Sequence, residues 1–413
     1  MSLLRDTSEL SATPNPPDAA LPRKMWVEVV RDPEKWADYA TAWDEVAAAA
    51  IEPNVFFESW MLLPAIPRFG VDSKLLLALV FAPDPTCDHG SPKLCGVFPL
   101  EIQIQYRGLH QALPVKTLSL WKHKYCYLCT PLIRAECANE TLEAFFEWLD
   151  SGDHGCALME FKFIAGDGPF YHLLTDLLYK MAKPTFISES YTRALFRRAA
   201  DPGAYLCSAL SGKRQRDLKR QSKQLSELGQ IEYAALASDN DITAWIEEFL
   251  NLEAASWKGK ENYALVSRAA DREYFETIAT EAFQRGQLMM LTLRLDDRPI
   301  AGKCNFLAGR GSFAFKIAYD ETYSRYSPGK LLEVENIRLA HDNPQLEWMD
   351  SCADPVHVML DLIWTSRRTI QTITVSTGKA PGDLIVSAIP MLKWLKSKLT
   401  RRKTTRSQPT NAR

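Results

Sequence analysis

No stretch of this 413-residue chain is apolar for long enough to cross a bilayer. The longest clean run, Leu75 to Ala82, falls far short of the roughly 20 residues that a spanning helix needs, so no membrane span is expected. An excess of one charge is missing too. Lys plus Arg number 49 and Asp plus Glu 51, which removes the long-range field of a nucleic-acid or membrane-surface binder and leaves anion recognition to local clusters. Cysteine is sparse and unpatterned: nine residues, odd in number and scattered from Cys87 to Cys352, do not make the framework of a secreted scaffold, so reduced thiols are expected. Cys126 and Cys129 have the spacing of half a zinc site, but no second pair answers them and no metal is expected. The opening MSLLRDTSEL carries Asp6 and Glu9 where a secretory signal would be basic and then apolar, and a cytoplasmic chain is expected.

What is present is enough apolar material, 46% of residues, for two ordinary cores. Residues 1–23, rich in Ser, Thr, Pro and Asp, and the basic tail 400–413 bury too little to order themselves and are expected to be disordered. Between them the pattern is mixed α and β. An N-terminal lobe over 24–186 has a helical stretch from Pro33 to Ala50, strands at Lys74–Phe81 and Leu94–Ile104, more strand-like residues over Thr117–Ile133, a helix at Thr141–Asp150 and a strand at Ala157–Ile164. A C-terminal lobe over 187–399 opens with a basic helix from Leu210 to Leu228, stopped by Gly229, and a helix over Ile242–Trp257. Its most regular part alternates as Gln287–Leu295, Pro299–Leu307 and Ser312–Tyr319. Asp296-Asp297-Arg298 and Gly309-Arg310-Gly311 join these as tight hairpins, which gives an antiparallel meander. A helix from Pro328 to Ala340 and a strand from Leu346 to Asp350 follow, so the last meander strand and this one should lie parallel. Leu75–Phe81 with Leu94–Val97 echoes Leu288–Leu295 with Ile300–Lys303, a pseudo-repeat of the two lobes.

A helix entered straight from a strand offers free N–H groups and its positive dipole end to an anion. Arg325-Tyr326-Ser327-Pro328-Gly329-Lys330 stands at such a junction, with Ser327 as N-cap, Gly329 for close approach and two flanking cations. An ordinary capped helix with two solvated cations fits the spacing equally. In Ser312–Tyr319 strict alternation puts Phe313, Phe315, Ile317 and Tyr319 on one face and Ala314, Lys316, Ala318 and Asp320 on the other. A lysine between alanines suits a charge lining a cleft, or a solvent-side lysine with a packed stem. Trp121, His123 and Tyr125 join aromatics to Lys122 and Lys124 in the mixture that stacks on sugars or nucleotides. Asp350, Cys352 and His357 follow the last strand, where ligand loops of open sheets lie; a Cys and a His there could act as nucleophile and base. The cations Lys213, Arg214, Arg216, Lys219, Arg220 and Lys223 suit a phosphate-bearing partner or a solvated face.

Residues 205–355, with Tyr205-Leu206, Lys213-Arg214, Leu218 and Leu225, Ser256-Trp257-Lys258, the meander, Ser327-Pro328-Gly329-Lys330-Leu331-Leu332 and Trp348-Met349-Asp350, resemble a branch of the GNAT superfamily. That branch is linked to cellulose and exopolysaccharide biosynthesis and related to Fem-type aminoacyl transferases. Trp121, His123, Tyr125 and Thr130-Pro131-Leu132 resemble a first-lobe segment of the same branch. The resemblance implies an α/β (α+β) fold of two GNAT-like lobes, each a mixed, mainly antiparallel sheet with flanking helices. It implies acyl transfer from acetyl-CoA or another acyl-CoA to an amine or hydroxyl of a sugar, lipid or cell-envelope precursor, without a metal. The donor's diphosphate would meet Arg325, Tyr326, Ser327, Gly329 and Lys330. Lys316, Tyr319, Glu333, Asp350 and His357 become the catalytic candidates, and Trp121, His123, Tyr125, Trp257 and Lys258 the acceptor-binding ones. Two other readings stand beside it: a tRNA-dependent aminoacyl transferase that grips tRNA with the basic helix, and a silent scaffold with partners in a polysaccharide-synthesis complex. Pro328 departs from the glycine-rich phosphate loop of the superfamily and removes one N–H donor.

Overall fold

The computed structural model describes residues 24–83, 92–107, 113–355, 359–378, 381–388 and 391. The terminal segments 1–23 and 400–413 therefore lie outside the described residues.

The chain builds one 13-stranded sheet from two copies of a single pattern. In the first copy β1 (Trp26–Val30), β2 (Lys74–Ala82), β3 (Lys93–Arg107) and β4 (Leu113–Leu120) pair antiparallel in sequence order. The two-residue β5 (Leu132–Ile133) pairs with β3 off this path. β6 (Leu158–Ala165) then lies parallel to β4, reached through the helix Ala138–Ser151. The second copy repeats the pattern. β8 (Ile231–Ala235), β9 (Leu288–Leu295), β10 (Arg298–Ala308) and β11 (Gly311–Tyr319) form the ladder, and β12 (Trp348–Asp350) pairs parallel with β11 after the helix Pro328–Asp342. The repeat read in the sequence is thus present strand for strand. The fold is α/β with two like lobes and a mainly antiparallel sheet.

Two further strands weld the copies together. β7 (Thr185–Arg197) pairs with β12 through Leu195–Arg197, and β13 (Ser366–Ser376) sits between β6 and β7. The expected division between residues 186 and 187 falls inside β7, and the sheet is continuous across it.

Local chemistry explains the elements that place the site. Asp296 and Asp297 both take positive φ, 47° and 64°, as a two-residue hairpin loop demands, and Asp296 accepts from the Gln230 N–H at 2.7 Å. The helix Ile242–Ala255 is capped by Asp241, and its buried stripe, Ile246, Phe249, Leu250 and Glu253, follows the helical period onto the sheet. One core under this helix and Ala269–Gln284 runs on into the first lobe; a second lies under Pro328–Asp342.

One segment departs from expectation. Strand structure was predicted across Thr117–Ile133, but β4 ends at Leu120 and residues 121–131 form a buried loop. Its backbone is held by contacts a strand could not make: the Asn54 side chain donates to the carbonyls of Leu128 and Thr130 at 3.1 and 2.8 Å.

Candidate active site

β11 and β12 pair for only three residues, Gly311–Phe313 against Trp348–Asp350. β11 then continues to Tyr319 with no strand on that side, and the two diverge. A bulge accompanies the divergence: Asn305 faces Ala314 while Cys304 faces Lys316, so Phe315 is the extra residue. A bulge bends its strand and raises the local twist. The open edge of β11 is therefore a built feature, and its backbone polar groups need partners other than a neighbouring strand.

The bulge also corrects the predicted alternation. Phe315 packs on Phe275 and Phe306, and Lys316, the next residue, turns to the same side to meet Glu253. Ile317 and Tyr319 face the start of the helix Pro328–Asp342, where a Cβ placed on Gly329 would lie 3.9 and 3.5 Å from their side chains. Lys316 thus shares a face with Phe313 and Phe315, the reverse of a strict two-residue period.

On that face three charges converge. The buried Glu253 Oε1 lies 3.0 Å from Lys316 Nζ and 3.3 Å from Lys258 Nζ, and its Oε2 accepts from the Leu265 N–H at 2.8 Å. Lys258 Nζ also donates to the main-chain carbonyl of Ile317 at 2.7 Å. Ser256 caps the short helix Trp257–Lys260 that carries this lysine. Burial pushes the Glu253 carboxyl up, but the two ammonium groups outweigh it and hold it below the usual range. Burial also lowers Lys258, with Glu253 opposing and Lys316 adding to the fall. Tyr125 closes the cluster, its ring 5.5 Å from Lys316 Nζ; its phenol is raised by burial and by Asp271, which pairs with Lys124.

Beyond Tyr319 the junction with the helix Pro328–Asp342 is more crowded than the sequence suggests. Ser327 occupies the N-cap position in a left-handed conformation, φ 52°, and its hydroxyl makes no cap bond; Gln221 of the basic helix Gly212–Ser226 donates to it at 3.1 Å. Pro328 has no N–H, and those of Lys330 and Leu331 both return to the Ser327 carbonyl at 2.9 and 3.1 Å. Gly329 is buried beneath Tyr319 and Met359. A diphosphate arriving here would meet one free amide, that of Gly329, so the backbone cradle expected of this turn does not fit the group. Arg325 is exposed and stacks on Tyr326. Cations do stand alongside: a cleft of about 190 Å³ next to Gln221 is lined by Arg214, Arg220 and Lys330, with Asp217 pairing Arg220 at 3.2 Å.

Several predicted residues belong to other structures. Asp350 is fully buried; it accepts from Arg193 Nη2 at 2.8 Å, Arg368 Nη1 at 2.9 Å and the Cys352 N–H at 3.0 Å, and Arg193 Nε stands 2.6 Å away as an ion-pair contact that is not aligned as a hydrogen bond. Burial raises its pKa, the two guanidinium groups outweigh that, and the carboxyl sits below its ordinary range. Glu333 is equally buried, with Lys303 Nζ at 2.6 Å on one oxygen and Trp364 Nε1 and the Asn336 amide, both at 2.9 Å, on the other. Neither carboxylate has a face open to an acceptor's proton, so both are corrected from bases to structural counter-ions. Cys352 is buried and its thiol is raised by burial and by Asp350, which removes the nucleophile reading. Its partner His357 lies outside the described residues. Trp121 and His123 are core residues, not a surface platform. His123 stacks on Phe69 at 5.4 Å, and burial lowers its pKa to about 3. Trp257, 44% exposed, stands at the rim beside Lys258. Cys126 and Cys129 have buried sulfurs 3.6 Å apart, and among the described residues no group of three His, Cys, Asp or Glu is arranged to hold a metal ion.

Glu253, Arg193 and Arg368 were missed. Glu253 had a signal: it is the one carboxylate in the apolar stripe Ile246, Phe249, Leu250.

A family model described as an acetyltransferase (GNAT) domain matches residues 212–355, from the start of the basic helix to just past β12. That segment is therefore similar to a GNAT acetyltransferase domain, and the whole Glu253 cluster lies within it except Tyr125. Among solved structures, FemX is similar over 83% of this chain and 96% of its own, with 8% identity and a TM-score of 0.50, a likeness of fold. The C-terminal domain of a putative lysylphosphatidylglycerol synthetase from Agrobacterium fabrum aligns over 86% and 96% of the two chains, with 11% identity and a TM-score of 0.48. A tandem GNAT protein from the clavulanic acid biosynthesis pathway aligns over 86% and 99%, with 12% identity and a TM-score of 0.40. No curated protein matches the sequence.

Proposed function

We propose that the open edge of β11 is the site of acyl transfer from an acyl-CoA to an amine or hydroxyl of a sugar, lipid or cell-envelope precursor, exopolysaccharide components included. The observation that carries this reading is the cluster of Lys258, Lys316 and Glu253 at the unpaired stretch of β11. A thioester donor supplies an activated acyl carbon. The acceptor N–H or O–H attacks it, the new C–N or C–O bond forms as the C–S bond breaks, and one proton must leave the acceptor while the thiolate takes one up. Lys258 suits the first task. Its pKa is pulled toward neutrality by burial and by Lys316, and a base is most effective with a pKa near the working pH. Lys316, held by Glu253 and partly buried, is a fixed cation for the charge that develops on the acyl oxygen. Tyr319, on the opposite side of β11, faces the helix start and is suited to return the proton to the thiolate. Since the turn offers one free amide, Arg214 and Lys330 in the adjoining cleft are the groups suited to the donor's phosphates.

The experiment combines ligand binding with turnover. Acetyl-CoA should raise the melting temperature of the wild-type chain and less so of Arg214→Glu with Lys330→Glu. Lys258→Met should lower kcat by about 10²–10⁴-fold with donor binding retained, and the wild-type rate should climb with pH through a depressed lysine pKa. No melting shift at millimolar acetyl-CoA, together with salt-sensitive retention of tRNA, would move the reading to a tRNA-borne donor gripped by the exposed cations of the basic helix. Neither response would leave the scaffold reading standing.

A further inference from the structure

We propose that the cleft between the basic helix and the helix Pro328–Asp342 is a binding site for an aliphatic chain with an anionic end. The basic helix does not close on its neighbour: of its residues only Leu225 is fully buried, and Leu218 is left half-exposed. The space beneath is a cleft of about 470 Å³, within the range of roughly 300–1,000 Å³ common for small-molecule sites. Leu206, Leu210, Leu218, Leu331 and Val334 make up the apolar part of its walls, and Gln215, Ser222, Ser226 and Tyr233 add polar groups. Protein interiors normally close such gaps to crystal-like density, and a wall of leucines left facing a gap loses the contacts that make burial favourable.

The rim fixes the polarity of the occupant. Lys219, Lys223 and Arg338 stand around the mouth. Arg338 shares its charge with Glu335 at 2.9 Å, whereas no described carboxylate pairs with Lys219 or Lys223. The four leucines and Val334 disfavour a sugar, whose many hydroxyls would outnumber the partners that Gln215, Ser222, Ser226 and Tyr233 offer, and the unneutralised rim disfavours a cationic or neutral amphiphile. A fatty carboxylate and an alkyl phosphate share the chemistry that remains. This cleft shares Leu210 and Leu218 with the one assigned to the donor's phosphates, but neither Arg214 and Lys330 nor Lys258, Lys316 and Glu253 line it, so the inference can fail separately from the acyl-transfer reading.

Titration calorimetry on the full chain, below the critical micelle concentration, tests it with dodecanoate, dodecyl phosphate, dodecyl maltoside and dodecyltrimethylammonium. The two anions should bind at one site, at least about tenfold more tightly than the neutral and cationic chains, and the tighter anion identifies the headgroup. Val334→Trp, which fills the cleft, should abolish binding. Lys219→Glu with Lys223→Glu, on the solvent-facing rim, should weaken anion binding about tenfold and leave the unfolding midpoint unchanged. Equal affinity for all four chains, or full affinity in both variants, would overturn the assignment. So would a wild-type dimer that Val334→Trp converts to monomer, which would give the cleft to a second copy of the chain.

Discussion

Replacing Asp350 with Asn separates a structural role from a catalytic one. Asn keeps the outline of the side chain and can still accept from the Cys352 N–H, but it removes the charge facing Arg193 and Arg368. Those two arginines are directly opposed across β7 and β13, a like-charge pair that is unfavourable unless something stands between them. The Asp350 carboxylate does so, with two hydrogen bonds of 2.8 and 2.9 Å and an ion-pair contact of 2.6 Å to the two guanidinium groups. Arg193 is 2% exposed, so solvent gives it little relief when its partner is lost. Removing one member of a buried ion pair destabilises by about 3–5 kcal/mol, at least about a fifth of the roughly 5–15 kcal/mol that holds an ordinary domain folded. Urea unfolding at pH 7 should show a loss of this size as a lowered midpoint with little change in slope. The folded-state pKa of Asp350 is depressed, so its contribution is present above the unfolded value of 3.8 and disappears as pH falls through the folded one. The gap between Asp350→Asn and wild type should therefore narrow in acid. A variant as stable as wild type yet devoid of activity would refute this account and restore Asp350 as a base.

Gly329→Ala should leave the fold unharmed and stabilise it by about 0.4–1 kcal/mol, since the new methyl meets only ordinary contacts of 3.5 Å and beyond and the unfolded chain loses freedom. Donor affinity should hardly change; a tenfold loss, read by calorimetry, would show that the backbone of this turn cradles phosphate after all. Glu52 is buried under Gly168 and Phe170, and burial lifts its pKa to about 7 against the pull of Arg368. A raised folded pKa means that its stabilisation is complete below the unfolded value of 4.5 and is lost as pH rises through about 7. Glu52→Gln should thus gain on wild type by about 2–3 kcal/mol between pH 5 and pH 8; parallel unfolding midpoints across that interval would dismiss the idea.

The second lobe was legible because its elements are locally consistent: the meander, its two hairpins, the helix that begins at Pro328 and the short parallel strand all lie within a few residues of their expected bounds. β7 and β13 were not legible. Each pairs with strands far away in sequence, and Thr185–Thr192 shows no run of buried positions to announce a strand. At the site, the bulge at Phe315 defeated the alternation argument because a bulge is set by pairing with β10 and leaves no residue signature here. The two buried carboxylates after β11 looked like bases for a related reason. Sequence gives the place of Glu333 and Asp350 in the chain, whereas only the fold supplies Lys303, Arg193 and Arg368 to neutralise them.

The two lobes share one pattern but meet its junction differently. In the second lobe the strand–helix junction is short, Asp320–Ser327, and the strand edge before it is met by side-chain charge. In the first lobe the corresponding stretch, from the end of β4 to the helix Ala138–Ser151, is a longer loop whose Trp121, His123 and Tyr125 are packed into the core. That loop seals its own junction and reaches across to the other. Tyr125 lies over Lys316, Tyr127 packs on Phe315, and the Tyr127 carbonyl accepts from Arg193 at 2.7 Å. The first lobe thus lends an aromatic wall to the second, which lowers the dielectric beside Lys316 and strengthens its interaction with Glu253.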